Sequence, residues 1–211
     1  MHLLTEEIEK YIEGQSSPQE EVLAQLSRET HLKVQMPQMF SGNRQGQFLA
    51  MISHLCAPKR ILEIGTFTGY SAICLAQGLT PDGKLITIDI NEELKPMCDK
   101  YFELAGIASK ITGLYGDAQT IIPTLEEQFD IVFIDADKHS YCTYYDLVFD
   151  KVRRGGYIIA DNVLWSGKVV NEVKDKDTQA IHQYNEKVSS DSRVNHYILP
   201  LRDGLNIARK L

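Results

Sequence analysis

From Pro58 onward, short apolar runs alternate with helix-like stretches, and this rhythm constrains the fold more than any other feature of the chain. The pattern predicts strands over 60–64, 84–90, 110–115, 129–135 and 157–161. Helices are predicted between them, over 70–77, 91–105, 119–127 and 140–151. Runs such as FDIVFID are apolar on nearly every residue up to their end, as befits a strand buried on both faces of a parallel sheet. Strand–helix repeats of this kind give an α/β fold with helices on both faces of the sheet. The end of the chain breaks the rhythm. After a helix predicted over 176–189 come RVNHYILP, then Asp203-Gly204, then LNIARKL. Aspartate-glycine between two strand-like runs signals a hairpin, so the last two strands should be antiparallel neighbours.

The first 43 residues differ from this core and read as a helical arm or lid within one domain of 1–211, with the core over 58–211. Helices are expected over 3–13 and 18–31, split by GQSSP, with Ser17 before Pro18 as the second helix start. A methionine-rich loop, VQMPQMF, precedes a third helix over 44–56. Apolar positions Leu3, Leu4, Ile8, Tyr11 and Ile12 need a partner surface, either the site itself or a second subunit.

A chain of 211 residues can bury a substantial core. Its net charge of −7 argues against a partner bound through a broad basic face. No apolar run has the length of a membrane span, and MHLLTEEIEK lacks the order of a signal peptide, so a cytoplasmic protein is expected. Cys56, Cys74, Cys98 and Cys142 are too scattered for a zinc site and read as reduced thiols in or near the core.

Two of the predicted strands end in oxygen donors. FDIVFIDADK stops at Asp135, and YIIADNVLW stops at Asp161-Asn162. In open α/β sheets ligands bind in the crevice beyond the carboxyl ends of the strands. If these two strands are neighbours, two carboxylates and an amide oxygen share that crevice. Such a set suits Mg²⁺, or Mn²⁺ or Ca²⁺, which take oxygen ligands. Trp165, the only tryptophan, follows three residues after Asn162 and offers a flat wall for an aromatic ring. His139 reads as a solvated residue.

The first strand–helix turn, ILEIGTFTGYS, carries Gly65 and Gly69 in a G-x-x-x-G spacing. A dinucleotide fingerprint needs a second glycine where Phe67 stands, to let backbone approach a pyrophosphate. S-adenosylmethionine (SAM) has no pyrophosphate. Glu63 could meet its ammonium group, Asp89 its ribose diol, and Asp117-Ala118 could sit beside its adenine. With the terminal hairpin, these features fit a Rossmann-like methyltransferase sheet better than a nicotinamide oxidoreductase.

LEIGTFTGYSA, ITIDI, GDA, FIDADKHSYCTYY and ADNVLWSGKV together resemble the cation-dependent class I O-methyltransferases, the family of caffeoyl-CoA and catechol O-methyltransferases. The likeness runs over about residues 35–211. It implies a seven-stranded, mostly parallel SAM-dependent methyltransferase fold closed by an antiparallel hairpin. It implies that Asp135, Asp161 and Asn162 bind the metal and that Lys138 is the general base. It further implies cofactor contacts from Ser41, Glu63, Gly65, Thr66, Ser71, Asp89, Asp117, Ala118, Asp135, Asp137 and Tyr144, and substrate contacts from Met36, Trp165 and Ser166. Ser166 stands where plant caffeoyl-CoA enzymes carry asparagine, and the N-terminal region is shorter. Both points favour a smaller ortho-dihydroxy aromatic acceptor over a CoA thioester. The alternative acceptor is a hydroxylated uridine in tRNA, which a basic cluster of Lys138, Arg153, Arg154, Lys168 and Lys174 around the site would favour. A homodimer is the expected assembly.

Overall fold

The computed structural model describes residues 5–211, so Leu3 and Leu4 lie outside the described part. Helices α1 (Glu6–Gln15), α2 (Glu21–Lys33) and α3 (Gly42–Cys56) precede the first strand. There follow β1 (Arg60–Ile64), α4 (Tyr70–Ala76), β2 (Lys84–Asp89), α5 (Lys95–Leu104), β3 (Ile111–Tyr115) and α6 (Ala118–Ile121). The chain continues through β4 (Phe129–Ile134), α7 (Tyr141–Phe149), β5 (Val152–Ala160), α8 (Lys176–Ser190), β6 (Val194–Leu199) and β7 (Leu205–Lys210).

The seven strands lie in the order β3-β2-β1-β4-β5-β7-β6. Strands β1 to β5 are mutually parallel, and β7 runs antiparallel to both β5 and β6. The expected sheet and its terminal hairpin are therefore present. The strand order reverses between β1 and β4, which leaves the crevice of a switch point beyond their carboxyl ends.

Apolar side chains alternate between the two faces of the central strands. Ile131 and Phe133 of β4 join a cluster that includes Leu26, Leu49, Ile73 and Phe102. Val132 and Ile134 join the other, with Tyr141, Tyr145, Ile181 and Tyr184. Each such side chain, fully buried, contributes on the order of 1.5–3 kcal/mol. A strand this apolar can sit only in the middle of a covered sheet.

Several element boundaries depart from expectation for identifiable reasons. Helix α2 starts at Glu21, not beside Ser17. The linker before it is held by tertiary bonds: Gln47 Nε2 donates to Ser17 O at 2.6 Å and Gln19 Nε2 to the Tyr70 hydroxyl at 2.7 Å. Helix α6 ends early, in a 3₁₀ turn over Ile122–Thr124, because Pro123 cannot donate to a continuing helix. Strand β5 starts five residues before Tyr157, with a register shift against β4 between Phe129 and Ile131. The pair Gly155-Gly156 marks an irregularity inside the strand and not its beginning, with Gly155 at φ +79°. All four cysteines are free thiols, as expected, with Cys74 and Cys98 buried.

Candidate active site

Strands β4 and β5 are parallel neighbours, with Ile134 opposite Ala160. The residues that follow them, Asp135 and Asp161-Asn162, therefore leave the sheet side by side. Lys138 closes this group. Its ammonium donates to Asp135 Oδ1 at 3.1 Å, to Asn162 Oδ1 at 3.0 Å and to the Tyr141 hydroxyl at 2.5 Å. The lysine side chain is only 12% exposed. Asn162 holds a left-handed backbone, φ +58°, an uncommon cost for a residue other than glycine.

Asp161 is buried, and its carboxylate is fixed at both oxygens. Oδ1 accepts from the Asn162 amide at 2.7 Å, and Oδ2 accepts from Gln45 Nε2 at 2.6 Å. Burial, and next the charge of Asp135, push the Asp161 carboxyl above the usual carboxylate range. A cation held between the two would relieve both effects. Tyr141 is buried under Lys138 and is raised well above an ordinary phenol, first by burial and then by Asp135. It stays protonated and donates to Asp161 O at 3.0 Å.

A cavity of about 360 Å³ opens beside these residues. Its walls include Gln38–Ser41, the Gly65–Thr68 turn, Tyr70, Ser71, the Asp135–Lys138 stretch, Asn162 and Trp165. Gly65 is required here. At φ +103° a Cβ would stand 1.9 Å from Asp135 O, where the ends of β1 and β4 touch. Gly65→Ala should therefore lower stability by at least about 3 kcal/mol, measured by urea unfolding, because a left-handed residue meets a backbone clash.

The predicted cofactor residues fall into two groups. Ser41, Gly65, Thr66, Ser71, Asp135 and Asp137 line the cavity. Glu63, Asp89, Asp117, Ala118 and Tyr144 lie outside its lining. Glu63 is fully buried at the end of β1. Its Oε2 accepts from Thr87 Oγ1 at 2.5 Å, whereas Oε1 has no hydrogen-bond partner. Burial pushes this carboxyl up to about 8, with the Ser71 and Thr87 hydroxyls pulling it partly back. Asp89 braces the glycine turn, accepting from Phe67 N at 2.7 Å and Asn91 N at 2.8 Å. Asp117 caps α6 through Gln119 N at 2.8 Å. Tyr144 donates to Asp137 Oδ2 at 2.7 Å, and Asp137 Oδ1 accepts from Ser140 N.

Of the predicted substrate residues, Trp165 lines the cavity. Met36 is 57% exposed and outside the lining; its neighbours Gln38 and Met39 form that wall. Ser166 is exposed, at φ +54°, and donates its amide to Asp203 Oδ1 at 2.6 Å. The proposed basic cluster does not gather at the site. Arg153 and Arg154 sit at the opposite end of the sheet, where β5 begins, and Arg153 pairs with Asp130. Lys168 pairs with Asp175 at 3.5 Å, and Lys174 donates to Asn171 O. His139 is exposed and pairs with Asp177.

Among the described residues, no three His, Cys, Asp or Glu side chains gather into a metal-holding group. The donor set is instead two carboxylates and one amide oxygen. Two of those oxygens already share one cation, the Lys138 ammonium, so the chemistry of the set fits a hard ion. The unpartnered Glu63 Oε1 fits a ligand that brings an ammonium group.

Gln45, Tyr141 and Arg202 were not singled out from sequence. Gln45 shares a buried helix face with Leu49, Ala50 and Ser53, so a polar residue on an apolar stripe was the available signal. Arg202 gave none.

The O-methyltransferase family model matches residues 13–211. Caffeoyl-CoA O-methyltransferase 1 of Nicotiana tabacum is 34% identical over 186 residues, covering 82% of this chain and 78% of its own. An O-methyltransferase of Streptomyces achromogenes involved in tomaymycin synthesis, solved in complex with SAM, superposes with a TM-score of 0.90 at 29% identity; the match covers 97% of this chain and 96% of that one. An O-methyltransferase of Bacillus cereus, solved with SAH, gives 0.89 at 28% identity, with 97% of each chain covered. By the family model over residues 13–211 and this degree of identity, the chain belongs to the O-methyltransferase family.

Proposed function

We propose that this chain is a SAM-dependent, divalent-cation-dependent O-methyltransferase acting on a small ortho-dihydroxy aromatic acceptor. One observation carries the reading: the Lys138 ammonium lies between Asp135 Oδ1 and Asn162 Oδ1 at the mouth of a cavity walled by Trp165 and the glycine turn. The SAM- and SAH-bound neighbours and the caffeoyl-CoA relatives support the same cofactor and acceptor chemistry.

Asp135, Asp161 and Asn162 would hold the ion, whose role is to chelate adjacent hydroxyls and stabilise the phenolate. Lys138 Nζ, having first released its extra proton to solvent, would take the proton of the reacting hydroxyl, and Tyr141 keeps that nitrogen aimed at it. Trp165 and the Gln38–Phe40 segment flank the aromatic ring and exclude water. Gly65, Thr66 and Ser71 would seat the amino-acid part of SAM, and Glu63, behind that wall, would answer its ammonium group directly or through water. Methyl transfer is an in-line displacement, so holding oxygen and sulfonium at near-attack distance is a large part of the rate. The Gln38–Ser41 segment serves as the inner edge of a lid formed by the arm.

The test is methyl transfer from labelled SAM to a panel of catechols, set beside tRNA lacking its natural uridine modification. We expect label in the catechols and none in the tRNA. Label in the tRNA alone would transfer the same apparatus to the nucleic-acid acceptor.

A further inference from the structure

We propose that Arg202 and Gln45 form a positioning pair that fixes the ion ligand Asp161 and, with the same guanidinium, the Phe40–Ser41 wall of the acceptor cavity. The ion part of this inference rests on the proposed metal-dependent function.

The loop between β6 and β7, residues 200–204, carries Arg202 at φ +52°. A left-handed backbone at an arginine is uncommon and persists only where its surroundings over-determine it. The side chain supplies those constraints. Its guanidinium donates to the Ser41 carbonyl, to Phe40 O at 3.2 Å and to Gln45 Oε1 at 3.0 Å. Phe40 and Ser41 line the acceptor cavity, so one guanidinium ties the hairpin loop to that wall.

The contact with Gln45 also sets a direction. Arginine only donates, so the Gln45 amide must turn its oxygen to Arg202. Its nitrogen is then committed to Asp161 Oδ2, which it meets at 2.6 Å. Gln45 is fully buried and makes this bond across 116 residues of sequence. Asp161 therefore has one oxygen held by its neighbour's backbone and the other by a donor that cannot reverse. A carboxylate fixed in this way presents its remaining lone pairs in one orientation. Residues that orient an ion's ligands typically govern affinity 10–100-fold.

The test is calorimetric titration of Mn²⁺ into the full chain and into Gln45→Leu, Arg202→Met and the double variant, with SAM binding measured on each. Gln45→Leu should weaken Mn²⁺ binding on the order of 10–100-fold while SAM affinity holds. Arg202→Met should do the same to the ion and also raise KM for a catechol, because Phe40 and Ser41 lose their anchor. The double variant should be no weaker for the ion than the worse single one, since the two residues act through one bond. Arg202→Met keeps the Gln45 amide beside Asp161 Oδ2, so it reports even if Gln45→Leu fails to fold. Wild-type affinity in Gln45→Leu or in the double variant overturns the proposal. A wild-type chain that binds no Mn²⁺ overturns the metal reading itself, and the ion role of the pair falls with it.

Discussion

Treatment with EDTA should abolish methyl transfer to a catechol, and added Mg²⁺ should restore it. The expected loss is at least about 10²-fold, because stabilising a phenolate and aiming its oxygen is worth several kcal/mol. The argument comes from the donors. Asp161 is buried, and after burial itself the charge of Asp135 is what most disfavours its ionised form. Two carboxylates kept so close at a cavity mouth lower their repulsion by sharing a cation. Of the two, Lys138 bonds only Asp135, together with the Asn162 amide oxygen. A divalent ion, with twice the charge and a demand for oxygen, would compete for the same atoms and free the lysine to meet the acceptor. Calcium-loaded or metal-free enzyme with full turnover would remove the ion from the reaction or change which ion serves.

Lys138→Ala should lower kcat on the order of 10²–10⁴-fold, the usual span for a positioned base, while leaving SAM affinity essentially unchanged. The lysine also neutralises Asp135, so the comparison belongs at saturating Mg²⁺, where the ion supplies that charge. Lys138→Arg separates the two roles. It keeps a cation near Asp135 and Tyr141 but cannot act as a base at neutral pH. Its kcat should therefore stay low. Recovery of kcat in the arginine variant would make Lys138 a charge-balancing residue only.

The elements legible in the sequence were those whose cause is local. The run from Phe129 to Ile134 is apolar at every residue but Asp130 and could only be an inner strand. Its neighbour ending at Ala160 followed the same logic, and their adjacency placed Asp135 beside Asp161-Asn162. Gly65 was legible as a turn residue, although its reason is the backbone of Asp135 and not a ligand alone. What stayed hidden depends on contacts between distant segments. The start of α2 was misplaced because Gln19 and Ser17 answer to Tyr70 and Gln47, far along the chain. The strand predicted to start at Tyr157 starts at Val152, with Gly155-Gly156 inside it. The Gln45 bond to Asp161 and the Arg202 bond to Gln45 join α3 to the end of β5 and to the β6–β7 loop beside it, and no spacing announces them. The basic residues near 153 and 168 suggested a charged mouth; the strand direction sends Arg153 and Arg154 to the far edge instead.

The most direct measurement is diffraction from crystals grown with SAH and a catechol and soaked in Mn²⁺, recorded for anomalous scattering. The account predicts one strong peak bonded to side-chain oxygens of Asp135, Asp161 and Asn162, with both catechol oxygens on it and Lys138 Nζ turned from Asp135 toward the acceptor. A catechol seated in the cavity with no peak among those three residues would contradict it.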